Sequence, residues 1–275
     1  MEKSNIDEKI KLLTGSGMWH TQEMEGLPSV HLSDGPHGLR KQEEKERQNN
    51  VSLVSTCYPT ASALACSWDV TAAERLGRAV AKEAWNADVA VLLGPGINMK
   101  RSPLCGRNFE YYSEDPLVAG KMGAAMVRGI QSRHIAATVK HFAANNKETN
   151  RKHSDSRVSE RALREIYLKA FQIIVEEADP WAIMSSYNII NGHRASECKE
   201  LLEDILRGEW AFKGMVTTDW WTRGEHYKEI KAGNDLKMAN GFPERVKRAM
   251  DLGELDRKDL EHCAKRILEL ILKLD

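Results

Sequence analysis

The stretch Gly214-Met215-Val216-Thr217-Thr218-Asp219-Trp220-Trp221 is a β-branched run that ends in a carboxylate followed by two indoles. Residues 215–218 read as a buried strand, because a short apolar and β-branched run bounded by glycine and a polar residue has that length and composition. A polar residue at the end of a strand on an α/β scaffold stands at the mouth of the sheet or barrel, where ligands bind, although Asp219 also fits the plainer role of a helix N-cap. The Trp pair offers flat apolar faces to a sugar or another ring and partly desolvates the carboxylate.

The same order of strand, loop and helix repeats outward from this segment. Toward the N-terminus come a helix over 200–210 and a strand from Trp181 to Ser185 that leads to Tyr187 and Asn188. Before them lies a helix opened by Ser159 as N-cap, with Leu163, Ile166, Tyr167, Ala170 and Ile174 on one stripe. Further back are a strand from Ala136 to Val139 ending at Lys140-His141, a Gly- and Ala-rich helix over 117–132, and a strand from Val89 to Leu93. That last strand delivers the long loop GPGINMKRSPLCGRNFEYYSEDP, and loops of such length in compact domains tend to be functional. Its Gly94-x-Gly96 is not a dinucleotide fingerprint, because Pro95 sits inside it and Met99 stands at the third glycine position.

A helix over 69–87, a short strand of small residues over 59–66 and a strand ending at Ser33-Asp34-Gly35-Pro36 complete this side. The charged run from Lys41 to Asn50 reads as a solvated loop. Residues 1–30 give a lead-in helix, Ile6 to Leu13, and a loop at Gly15 and Gly17 that would lid one end of the domain. Toward the C-terminus lie a strand near Asn234 to Met238 and helices over 244–251 and 257–273. Roughly seven strands in this order predict an α/β fold, an irregular (β/α)8-type TIM barrel with one strand missing or distorted. No internal repeat, low-complexity stretch or linker divides it, so residues 1–275 read as a single domain.

Composition narrows the function. The 41% hydrophobic fraction of 275 residues fills one barrel-sized core, and 40 basic against 40 acidic residues leave no electrostatic case for nucleic acid, an anionic membrane or a polyanion. The first five residues lack a signal-peptide pattern and no 18 apolar residues run together, so the expected location is cytoplasmic, away from membranes. Five scattered cysteines read as free thiols, and no metal or cofactor is expected.

Asp34, Arg107, Lys140, His141, Arg151, Tyr187 and Asp219 all fall at or just beyond the C-terminal ends of strands, which in a barrel brings them into one cup. Carboxylates beside forked and point-like donors suit a neutral polyol, whose hydroxyls donate and accept. Each residue also fits an ordinary ion pair, and Lys140 alone fits a Schiff-base lysine of an aldolase-like barrel.

The segments SDGPHGLR, GPGINMKRSPLCGRNFEYYSEDP, KHFAANNKETNR, VSERALREIYLKAF, MSSYNIINGH, LLEDILRGEWAFKGMV and TDWW resemble the barrel domain of glycoside hydrolase family 3, its β-glucosidases in particular. The resemblance implies a retaining glycosidase that acts on terminal β-D-glucosyl residues through a covalent intermediate on Asp219. It assigns the grip on a glucose-like sugar to Asp34, Arg40, Arg107, Lys140, His141 and Arg151, with Tyr187 and Trp220 as pocket wall. Thr217-Thr218 replaces the usual Ser or Val-Ser before the nucleophile.

Similar β-glucosidases carry their acid/base glutamate on a second sandwich domain after the barrel, and Asp275 comes before any such domain. Glu110, Glu114 and Glu148 lie in motifs that serve architecture. Low activity of this chain alone is therefore expected, with a partner chain or domain supplying the acid/base; a non-catalytic sugar-binding barrel is the alternative. Another is a hexosaminidase-like enzyme using His153, thirteen residues past Lys140, although Ser154-Asp155-Ser156 departs from the Asp-Ser-His order of that subgroup. Lys140 and the arginines are expected to lower the pKa of Asp219. An aromatic rim at Trp220, Trp221 and Tyr112 is expected to be exposed, and homo-oligomers would follow from it.

Overall fold

Five parallel strands form the sheet from whose ends the expected site residues come: β1 (Leu32–Asp34), β2 (Val91–Leu93), β3 (Ala136–Phe142), β4 (Ala182–Ser185) and β5 (Met215–Thr218), hydrogen-bonded in that order. The computed structural model that shows them describes residues 5–43 and 51–274; residues 1–4, most of the charged run and Asp275 lie outside the described residues. Side chains alternate across the pleat. Leu92, Val139, Ile183 and Val216 pack under the helices, whereas Val91, Leu93, Ala136, Ala182, Met184 and Met215 belong to a second apolar cluster. Lys140, in register with Met184, and Asp34, two residues after Leu32, share the parity of that second face.

The ring is closed by chain segments too short to read as strands. Leu236 bridges Thr217 in parallel and Lys237 bridges Thr14 in parallel. Gly15–Ser16 then turns back on His20–Thr21, and His20 bridges His31 beside β1. Backbone bonds seal both seams: Gly15 N–H to Lys237 O at 3.0 Å, and Leu32 N–H to Trp19 O at 2.7 Å. A Cβ on Gly15 would lie 2.0 Å from Ala239 O, so a side chain there would push the seam apart. Residues 13–21, expected as a lid, are thus staves of the barrel, and 234–238 is a stave held by bridges rather than a full strand.

PTASALAC is a helix, Ala61–Cys66, not the strand expected over 59–66. Its alanines favour helix and the Thr60 hydroxyl accepts the Ala63 N–H, so local preference and cap agree. The helices Val70–Asn86 and Pro116–Gln131 start at Asp69 and Asp115, each carboxylate accepting two N–H groups of the first turn. They cross closely, since a Cβ on Gly129 would meet Glu74 O at 2.2 Å. The Ser159-capped segment passes through a π-helical turn, Leu163–Tyr167, before continuing as Lys169–Ala178, and Glu200–Glu209 is π-wound throughout. No described helix is long and apolar enough to cross a membrane.

Candidate active site

Asp34 ends β1 and Lys140 lies inside β3, which runs on through His141 to Phe142 instead of stopping at Val139. Lys140 Nζ donates to Asp34 Oδ1 at 2.8 Å and lies 3.7 Å from Glu110 Oε2, and Arg40 Nη1 stands 3.8 Å from Asp34 Oδ2. Burial alone would raise the Asp34 pKa, but Lys140, then Arg107 and Arg40, outweigh it and hold the carboxyl below its usual range. For buried Lys140, desolvation would favour the neutral amine, yet Asp34 and Glu110 overcome it and raise its pKa. A lysine so held is a charged donor and not the neutral nucleophile that a Schiff base needs, which removes the aldolase reading.

His141 is clamped by Asn98: its backbone N–H donates to Asn98 Oδ1 at 2.8 Å, and Asn98 Nδ2 donates to its carbonyl at 2.9 Å. Arg107 Nη2 reaches His141 Nε2 at 2.7 Å, and because a guanidinium only donates, Nε2 accepts and the ring proton sits on Nδ1. That proton faces Asn98 Oδ1 and the Tyr111 hydroxyl, both at 3.2 Å. Burial, then Arg107, Lys140 and Arg151, push the His141 pKa well below 6.5, so the ring is neutral. Arg107 is held in turn by Glu110, with which it pairs through Nε.

His226 has the same character, its pKa lowered to about 3 by burial and by Lys237. For both histidines the unfolded chain binds the proton first, so their stability contribution is complete above the ordinary histidine range and is lost as pH falls below it. The loss is about 1.4 kcal/mol per pH unit for each. Urea unfolding between about pH 5.5 and 4.5 is therefore expected to show a pH slope smaller by about that amount in His226→Gln than in the parent chain; equal slopes would contradict the burial argument.

Asp219 follows β5 and is 8% exposed. Its Oδ1 accepts the Trp220 N–H at 2.7 Å; Oδ2 is buried without a hydrogen-bond partner, 3.8 Å from His141 Nε2. Since His141 is neutral and its Nε2 lone pair is taken by Arg107, this approach is not an ion pair. Burial raises the Asp219 pKa, with Arg107, the Trp220 N–H and Lys140 only partly offsetting it. The expectation of a net lowering is thus reversed: Lys140 spends its hydrogen bond on Asp34, and desolvation at Asp219 wins.

Tyr187 donates to the Trp220 carbonyl at 2.6 Å, and its ring lies under the Arg151 guanidinium, 4.8 Å from the centroid. Arg151 is steadied by Glu148 at 3.1 Å. Trp220 is only 6% exposed, its indole N–H bonded to Met18 O at 2.7 Å and its ring tilted on Trp19. Tyr112 is buried as well, so of the expected aromatic rim only Trp221, 52% exposed, reaches solvent. The cause is the closing hairpin, whose Met18-Trp19 tip covers Trp220.

A cavity of about 440 Å³ is lined by Asp34, Arg40, Arg107, Glu110 and Arg151 together with the 35–39 loop. Asp219 is linked to it through Arg107 and His141. Asp34, Arg40, Arg107, Lys140, His141, Arg151, Tyr187 and Asp219 thus form one network, with Trp220 as its buried backing. His153 stands apart, exposed on a turn after Arg151. Sequence reasoning missed Asn98, for which no local signal exists, and gave Glu110 only an architectural role; its place one turn after Arg107 was the available clue.

The loop beyond Asp219 is anchored from behind. Lys237 pairs with Glu229, both almost fully buried, and donates to Thr222 Oγ1 and Gly224 O at 3.0 Å. Glu229 Oε1 accepts from Ser196 and Thr222 at 2.8 Å.

Comparison with known proteins gives the family. Residues 36–270 match the model of the glycosyl hydrolase family 3 N terminal domain. The chain is 55% identical over 236 residues to beta-glucosidase A of Butyrivibrio fibrisolvens, covering 86% of the chain but 28% of that protein. It is 42% identical to an exo-alpha-(1->6)-L-arabinopyranosidase of Bifidobacterium longum, covering 98% of the chain and 36% of that relative. The structure of beta-glucosidase 3B from Thermotoga neapolitana in complex with glucose superposes with a TM-score of 0.94 at 38% identity, over 99% of this chain and 42% of that one. The chain therefore spans well under half the length of these proteins, and over that span it belongs to the N-terminal barrel domain of glycoside hydrolase family 3.

Proposed function

We propose that this chain is the sugar-binding and nucleophile-bearing barrel of a retaining β-glucosidase, with Asp219 attacking the anomeric carbon of a terminal β-D-glucosyl residue. The observation that carries this reading is the Asp219 carboxylate, buried, with Oδ2 in no full hydrogen bond among the described residues although the Tyr187 hydroxyl acts on the group, and linked through His141 and Arg107 to a wall of charged donors. An oxocarbenium-like transition state places positive charge beside such an oxygen and relieves its desolvation, so the group is stabilised more in the transition state than in the resting site. Asp34 accepts from two neighbouring hydroxyls while Lys140 holds it ionised, and Arg107, His141 and Arg151 supply the rest of the grip.

The proton for the leaving group comes from elsewhere. Asp34, Glu110 and Glu148 are each committed to a cation, Lys140, Arg107 and Arg151 respectively, and an acid that must be protonated near neutral pH cannot be so held. A partner domain or chain is the source we assign, and the 275 residues alone turn over slowly. The Bifidobacterium relative favours a second reading of the sugar, L-arabinopyranose, whose ring lacks a hydroxymethyl arm.

Titration with glucose and L-arabinose, followed by NMR or calorimetry, tests the site. Charge-assisted hydrogen bonds are worth about 1.5–3 kcal/mol each, so Asp34→Ala is expected to weaken sugar binding roughly 10- to 100-fold. Unchanged affinity would remove Asp34 from the site, and tighter arabinose binding would select the second reading.

A further inference from the structure

A second cavity, of about 480 Å³, adjoins the sugar chamber, and Glu148 is a wall of both. It is built by the loops that follow β2 and β3. Its lining is mixed in a specific way. Leu104, Val158 and the Tyr167 ring give apolar walls, and Arg101 lies over that ring with its guanidinium carbon 5.6 Å from the centroid. Stacking uses the face of a guanidinium and leaves its N–H edge free to donate.

Four charged side chains line this chamber, and they do not balance. Glu148 is neutralised by Arg151 at 3.1 Å, and Arg157 by Asp155 at 2.7 Å. Arg101 and Lys147 pair with no carboxylate among the described residues, although the chain as a whole has equal numbers of acids and bases. Two acceptors in the lining, Asn146 Oδ1 and Glu148 Oε1, are buried and have no hydrogen-bond partner among the described residues. The walls therefore offer two free cations, two acceptors wanting donors and flat apolar contact.

We infer that this chamber receives the leaving-group half of the substrate, and that it selects an aryl aglycone bearing a carboxylate. The ring would pack between Leu104, Val158 and Tyr167, the carboxylate would face Arg101 and Lys147, and ring hydroxyls would donate to Asn146 Oδ1 and Glu148 Oε1. Glu148 lines both cavities and also fixes Arg151 in the sugar chamber, so the aglycone of a glucoside seated there would lie on the far side of that one residue. This inference rests on the sugar-binding reading and adds the class of aglycone to it.

The test compares two ligands that differ only in charge, 4-carboxyphenyl and 4-carbamoylphenyl β-D-glucoside, titrated calorimetrically into the 275-residue chain, with free glucose alongside. The carboxylate ligand is expected to bind about tenfold more tightly than the amide, the worth of one partly exposed charge-assisted contact. In Arg101→Gln/Lys147→Gln that ratio is expected to fall to about one, and in the parent chain it should shrink as salt is raised. Both substitutions replace exposed side chains, so the fold is retained, and circular dichroism checks that. Glucose binding with a ratio near one in the parent chain, or a ratio that survives the double substitution, overturns the aglycone inference alone. Failure of glucose and both glucosides to bind overturns it together with the sugar-site reading.

Discussion

An activated aryl β-glucoside is expected to glycosylate this chain readily, whereas an alkyl glucoside or cellobiose is left almost untouched. General acid catalysis is worth about 10²–10⁴ in rate, and its value grows with the basicity of the departing oxygen. A stabilised phenolate leaves without a proton; an alkoxide does not. The carboxylates around Asp219 are locked to Lys140, Arg107 and Arg151, so the chain has nothing there with which to soften that dependence. The rate is thus expected to fall steeply as the leaving-group pKa rises. On the same proposal deglycosylation lacks its base as well, and azide, which attacks without losing a proton, should accelerate release of the sugar. A flat dependence with no azide effect would mean that an acid/base is present in the chain, and His153→Ala would then be the first variant to examine.

The second large effect concerns stability. Lys237 and Glu229 are an ion pair deep in the fold, and removing one partner of such a pair typically costs about 3–5 kcal/mol because the other charge stays buried and uncompensated. Lys237→Met is expected to cost that much, which for a domain of this size lowers Tm by on the order of 10 °C. Adding Glu229→Gln should restore part of the loss, since no buried charge then remains while Ser196 and Thr222 keep an acceptor. A single variant with unchanged Tm, or a double variant worse than the single, would contradict the pairing. Because the pair holds Thr222 and Gly224, just after Asp219, the same substitution should, on the proposed reading, also slow glycosylation of Asp219.

The parts of this fold that are legible in the sequence are those with a local cause. β2 to β5 are apolar and β-branched, and the helices after Asp69, Asp115 and Ser159 announce themselves by their caps. What is not legible depends on distant partners. Thr14 and Gly15 carry no strand pattern, and the segment around Lys237 reads as a strand without showing what it pairs with, yet bonds between residues more than two hundred positions apart close the barrel. At 59–66 the local signal is helical, alanine after a threonine cap, and small size alone is no mark of a strand. Trp220 and Trp221 are the same residue side by side, and only the hairpin tip at Met18-Trp19 decides that the first is buried and the second exposed.

The site divides in the same way. Strand-end placement brings Asp34, Arg107, Lys140, His141, Arg151, Tyr187 and Asp219 together, because residue position along a βα unit fixes which end a side chain occupies. The charge balance inside that network was not legible. Burial outweighs Arg107, the Trp220 N–H and Lys140 at Asp219, and only the fold shows how deeply that carboxylate is desolvated and that Lys140 bonds to Asp34.

The role of Asp219 is tested most directly by trapping the intermediate. The chain is incubated with 2,4-dinitrophenyl 2-deoxy-2-fluoro-β-D-glucoside, whose fluorine slows both steps and whose phenol needs no acid to leave, and the digested protein is weighed by mass spectrometry. One fluoroglucosyl residue is expected on the peptide containing Asp219, and none in Asp219→Ala. A label on any other residue, or equal labelling of Asp219→Ala, would contradict the assignment of Asp219 as the nucleophile.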